Sequence, residues 1–113
     1  MGRAMGVDVI VMRVTQTGTS PKGRRFEVAE SFPDVRDVFA TLCGQSRLPM
    51  LRRVDPYGSL VLTPEEMPQL IAELTETLAL AGDDPARRAV EEVRRLAERC
   101  ATEPGLELHL EGD

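Results

Sequence analysis

A chain of 113 residues, 42% hydrophobic and 12.5 kDa in mass, suits one domain over residues 1–113. Such a domain should bury roughly two-thirds of the surface its unfolded form exposes. A net charge of −5, one Tyr, three Phe and no Trp argue against general nucleic-acid binding, which needs clustered Lys and Arg for phosphates and rings for stacked bases.

Residues 1–6 carry no structural pattern and are expected to be flexible. The start "MGRAMGVDVIVMRV" lacks the long apolar core and small-residue cleavage site of a signal peptide. Its apolar part "VDVIVMRV" is too short for a bilayer and carries Asp8 and Arg13. A cytoplasmic protein without membrane association is expected, in which the distant Cys43 and Cys100 are reduced thiols. Residues 7–14 predict a strand rich in β-branched residues, and the near-continuous apolar run suggests a central place in a sheet. "TQTGTSPKG" (15–23) is turn-forming, and "RRFEVAE" follows with Phe26 and Val28 alternating against Arg25 and Glu27. A strand hairpinned to the first is the natural reading.

"SFPDVRDVFATLCG" (31–44) predicts a helix capped by Asp34, or one turn earlier by Ser31. Val35, Val38, Phe39 and Leu42 make its apolar stripe, and Gly44 would close it in a left-handed conformation. Pro49 makes 45–54 a connector. In "DPYG" (55–58), Pro56 fixes φ for a turn and Gly58 permits a positive φ. "SLVL" is then a short strand, and Thr63, Pro64 and Glu66 predict a helix start with a capping box. Met67, Leu70, Ile71, Leu74, Leu78 and Ala81 form the next buried stripe. Pro68 requires either a separate short first turn or a helix beginning at Pro68.

A further helix is capped by Asp84 with Pro85 next, its stripe being Ala86, Ala89, Val90, Val93, Leu96, Ala97 and Cys100. Arg87–Glu91 and Arg88–Glu92 are spaced for ion pairs on its outer face, and the short link predicts a helical hairpin. In the tail, Leu106, Leu108 and Leu110 alternate with Glu107, His109 and Glu111, a half-buried strand with a polar outer face. The element order predicts an α+β fold: a small, mostly antiparallel sheet with about three helices packed on one face.

Chemistry-bearing residues are few. His109 is the only histidine, and Cys43 would be its one nucleophilic companion if the fold brought them together. No Cys or His spacing suits zinc, and capping accounts for Asp84 beside Asp83, so neither metal nor cofactor is expected. "TGTSPKGRR" has the composition of an anion loop but not the spacing of a phosphate-binding one, which leaves a weak anion contact from Lys22, Arg24 and Arg25. Asp55 and Tyr57, with Arg52 and Arg53, are the best candidates for a ligand or partner site. Turn chemistry alone also explains Asp55, which can bond to the backbone two residues on, and Tyr57, which can pack over the sheet edge.

The stretch "LRRVDPYGSLVLTPEEMPQLIAEL", with "MGVDVIVMRV" before it, resembles a group of small uncharacterised proteins of high-GC bacteria. In these a DPYG turn leads through a short strand into an acidic, leucine-rich helix. The resemblance implies a bacterial cytoplasmic protein and supplies no catalytic residues. Residues 1–53 hold 9 Lys/Arg against 5 Asp/Glu, and residues 54–113 hold 5 against 14, so the two halves differ in sign. Such asymmetry either steers a charged partner or reflects acidic helix surfaces. With no catalytic constellation, the expectation is a non-enzymatic protein-interaction module that forms a homodimer or binds another protein. The alternative is a small-ligand-binding protein or minor enzyme with its site at the 55–58 turn.

Overall fold

The computed structural model describes residues 6–16 and 23–112; Lys22 and residues 1–5, of which an anion contact and flexibility were expected, lie outside them. In chain order the elements are β1 (Asp8–Gln16), β2 (Arg24–Phe32), α1 (Val38–Gln45), β3 (Ser59–Leu62), α2 (Met67–Leu80), α3 (Asp84–Thr102) and β4 (Leu106–Glu111). Short 3₁₀ turns occupy Val35–Asp37, Leu51–Arg53 and Pro64–Glu66. The fold is α+β: among the described residues, one four-stranded antiparallel sheet in the order β2-β1-β4-β3 and three α-helices. No described helix is long and apolar enough to cross a membrane.

The strand patterns decide the layering. Val9 and Val11 of β1 oppose Leu110 and Leu108 of β4, and Leu62 of β3 opposes Leu108; all are fully buried. Alternation places these residues on one face, where they meet the helices. Each such Leu removed from water contributes about 1.5–3 kcal/mol. The near-continuous apolar run of β1 does lie inside the sheet, between β2 and β4. Gly105, at φ 79, turns the end of α3 into β4, which inserts between β1 and β3.

The helices follow their stripes with local corrections. In α3, Ala86, Ala89, Val90, Val93, Leu96, Ala97 and Cys100 are all buried, as the period predicts. Its cap is Asp83 rather than Asp84: the Asp83 carboxylate accepts from the Ala86 amide at 2.8 Å, so Pro85 becomes the second helical residue. Pro is tolerated there because first-turn amides lack helical acceptors anyway. The expected Arg87–Glu91 and Arg88–Glu92 pairs do not occur among the described residues. Instead Arg95 binds Glu92 and Glu30, and Arg99 binds Glu103 and Glu30, which ties α3 to β2. Thr63 and Glu66 form the capping box, and Pro64–Glu66 makes the separate first turn that Pro68 called for.

The first helix is shorter than its stripe. α1 begins at Val38, because Arg36 and Asp37 adopt left-handed φ of 59 and 57 and break the preceding turn from it. Val35 therefore falls outside the helix and is 70% exposed instead of buried. Asp34 caps from a distance, its carboxylate accepting from the Phe39 and Ala40 amides and from Val7, each at 2.9 Å. Ser31 is not the cap; it lies in β2. Gly44 stays inside the helix without positive φ, and the chain leaves through an extended Ser46.

Candidate functional site

The second face of the sheet carries no layer of described residues, and it is not the purely polar surface that the tail strand suggests. Register places Ser31, Ile10, His109 and Val61 in one row across the four strands. Val28, Met12 and Glu107 form the next row, with Phe26 and Val14 beyond. Phe26 is 51% exposed, Val28 57% and Val61 43%. The alternation in β2 thus runs as written, but its apolar set points away from the helices; Glu27 and Glu30 take the helix side. The β1 register sets this orientation: Phe26 opposes Val14 and Val28 opposes Met12, on the side away from the helices, whereas Glu30 opposes the buried Val11 and meets Arg95 and Arg99 of α3.

Polar groups on this face are mutually engaged. Arg24 donates to Glu107 at 3.1 Å and lies 5.1 Å from the Phe26 ring centroid, a cation–π contact. His109 lies 3.3 Å from Glu107 and packs edge-on to Phe26, with centroids 5.8 Å apart. At the far end, Ser59 donates to Glu111 at 3.0 Å. Arg24 and Arg25 point to opposite faces of the strand, so they do not converge on one anion.

The pairing of Cys43 with His109 is overturned by the layering. Cys43 is buried in the core on the helix side, and His109 faces away from it through the sheet. Burial, reinforced by the Asp34 charge, pushes the Cys43 thiol up to about 12, and burial pushes Cys100 up to about 11. Both are protonated and weakly nucleophilic at neutral pH. No group of three or more His, Cys, Asp or Glu among the described residues is arranged to hold a metal ion.

At the 55–58 turn, the Tyr57 amide donates to the Asp55 carboxylate at 2.8 Å, the local bond that the sequence predicts. Gly58 does not use a positive φ; its missing side chain makes room for Asp55, whose Oδ2 would lie 2.8 Å from a Cβ there. The turn also holds the end of β4, since the Gly112 amide donates to the Gly58 carbonyl at 2.7 Å. Tyr57 is 66% exposed rather than packed over the sheet edge. Arg53 donates to Glu66 at 3.1 Å, next to the capping box, and Arg52 is exposed. Asp55 and Arg53 are thus engaged with different partners.

A cleft of about 400 Å³ lies elsewhere, between the end of α1 and the second half of α2, with Leu42, Leu48, Thr77 and Leu80 among its walls and Arg47 and Glu76 beside them. Behind it, α2 holds a residue that the stripe did not include. Glu73 is buried, and its carboxylate accepts from the amides of Met50 at 3.1 Å and Leu51 at 2.9 Å and from the Gln69 side chain at 2.9 Å. Its position between Leu70 and Leu74 on the inward side is the signal that marks it. Compared with known protein families, curated proteins and solved structures, the chain finds no match in any of the three.

Proposed function

We propose that the chain is a non-enzymatic interaction module of a bacterial cytoplasm, which offers the uncovered sheet face to a protein surface, a second copy of itself first of all. The contiguous set of exposed Phe26, Val28 and Val61 with half-buried Ile10, Met12 and Val14, on a face that no layer of described residues covers, carries this reading. Contiguous exposed apolar surface marks interaction sites, whereas single exposed apolar residues do not. The polar cluster of Arg24, Glu107 and His109 within the patch supplies orientation. The two buried, protonated thiols and their separation from the histidine speak against a cysteine–histidine nucleophile pair and against nothing broader.

Native mass spectrometry on protein isolated gently from its host tests the reading. A dimer, or a complex with a second protein, is expected, and Phe26→Asp should abolish it. A monomer carrying a bound small mass would overturn it and direct mutation to Asp55 and Tyr57. Where the charge asymmetry between the halves contributes, association weakens as salt rises toward 1 M, where the Debye length is about 3 Å. Association indifferent to salt assigns the contact to the apolar face alone.

A further inference from the structure

The two edges of the sheet are unlike. β3 is four residues long, preceded by the 55–58 turn and followed at once by the capping box with Pro64, features that blunt an edge against pairing. β2 is nine residues long, and no described strand pairs with its outer side. It also carries the two most exposed apolar residues of the uncovered face, Phe26 and Val28. An added neighbour at this edge would cover them most directly.

We infer that the neighbour is a second copy of the chain, its β2 running antiparallel to the first about a twofold axis at Phe26. The inference rests on the self-association reading above and specifies its edge and register. A twofold perpendicular to the sheet pairs residues of the same face, so the axis passes through a residue and not between two. At Phe26, Arg25 opposes Glu27 of the second copy and Glu27 opposes its Arg25, which gives two opposite-charge pairs on the helix side. On the other face Phe26 meets its own counterpart, with Arg24 beside Val28 on each flank.

Neighbouring registers are worse. An axis at Glu27 sets Glu27 on Glu27, and an axis at Arg25 sets Arg25 on Arg25; like charges directly opposite destabilise a sheet. An axis at Val28 recruits Ala29 and Glu30, but β2 bulges opposite Val11 and Met12, and Glu30 is held by Arg95 and Arg99. The Phe26 register uses residues 24–28 and stops short of both. Charges on an edge strand deter pairing when a second copy meets like charge. An Arg and a Glu two positions apart, straddling a Phe, meet their opposites instead. Two five-residue segments make a small interface, in the transient class below ~1,200 Å², so the dimer should depend on concentration.

Sedimentation velocity on the full chain over a concentration series tests this, with circular dichroism to confirm the fold of each variant. Arg25→Glu and Glu27→Arg should each weaken self-association at least about tenfold, because each places like charges opposite across the axis. An equal mixture of the two variants should associate again, since Glu opposes Arg at both positions, and the double variant R25E/E27R should recover wild-type behaviour. A dimer that withstands both single reversals but dissociates in Val61→Asp overturns the β2 register and leaves the uncovered-face reading standing. A wild-type chain that stays monomeric throughout the series overturns this proposal and self-association together.

Discussion

The two faces of this sheet are built from the same four strands, yet they obey different rules. On the helix side, Val9, Val11, Leu62, Leu108 and Leu110 are fully buried and interlocked with α2 and α3. On the other side, residues of similar apolar character, Val28 and Val61 among them, remain about half exposed. Hydrophobicity therefore does not by itself assign a residue to the core; the presence of a second layer does. The largest test of that contrast pairs Leu108→Ala with Val61→Ala, which lie in neighbouring rows of the β3–β4 ladder and face opposite sides of the sheet, Leu108 opposing Leu62 and Val61 opposing His109. Leu108→Ala should cost about 2–5 kcal/mol, the transfer loss plus a cavity, while Val61→Ala should stay below about 1 kcal/mol. Urea unfolding of both variants measures the difference, and equal losses would mean that the second face is packed as tightly as the first.

The helix side also contains a polar exception, and removing it should have the next largest effect. Glu73→Ala would leave the buried amides of Met50 and Leu51 without their acceptor. The expected loss is about 2 kcal/mol, within the ~1–3 kcal/mol for an unsatisfied buried group, read from the same urea curves. Glu73→Gln, which keeps one acceptor oxygen, should lose less. A Glu73→Ala variant as stable as wild type would show that the 50–53 segment does not depend on the helix carboxylate.

Glu73 also shows where the sequence stops being legible. The stripe of α3 and the Thr63–Glu66 box could be read directly, because each depends on neighbours within a turn or two of the chain. The position of Glu73 between Leu70 and Leu74 marks it as inward-facing, but the amides it serves belong to the 48–51 segment, and its contact with Leu51 spans 22 residues of chain. The cap at Asp83 rather than Asp84 turns on a single-residue choice between two adjacent aspartates, both chemically competent. The orientation of β2 was out of reach for a different reason. Alternation states that Phe26 and Val28 share a face, but which face depends on the β1 register, on the bulge and on the insertion of β4 between β1 and β3. The same limit applies to the candidate site: Arg24 and Phe26 belong to β2 and His109 to β4, far apart in the chain, and they meet only across the sheet.

A smaller effect is expected at the border between the faces, where Glu30 joins the β2 edge to α3. Hydrogen bonds from Arg95 and then Arg99, and their charges, hold its carboxyl below the ordinary value of 4.5 against an opposing effect of burial. With the folded value depressed, the unfolded state takes up the proton first as pH falls. The contribution is therefore fully present above the ordinary carboxylate value and is lost as pH drops through the folded one. Glu30→Gln should lower stability at neutral pH by at most about 1 kcal/mol, since the network is partly exposed. Its deficit should shrink in acid, which thermal unfolding at a series of pH values would follow. A deficit independent of pH would assign Glu30 a packing role instead of an electrostatic one.

The smallest effect belongs to Val28, and its smallness is what gives it value. On the uncovered face, Val28→Thr keeps the β-branched shape and exchanges one methyl for a hydroxyl that water can reach. At a concentration where the chain is monomeric, its unfolding free energy should change by no more than about 0.5 kcal/mol, as for an ordinary surface substitution. In a concentration series the same variant should need more protein to associate, because the methyl lost lies beside Arg24 of the second copy in the Phe26-centred register. A monomer destabilised as much as by a core substitution would place Val28 in a packed layer of its own chain. The contrast between the two faces would then reduce to one of degree.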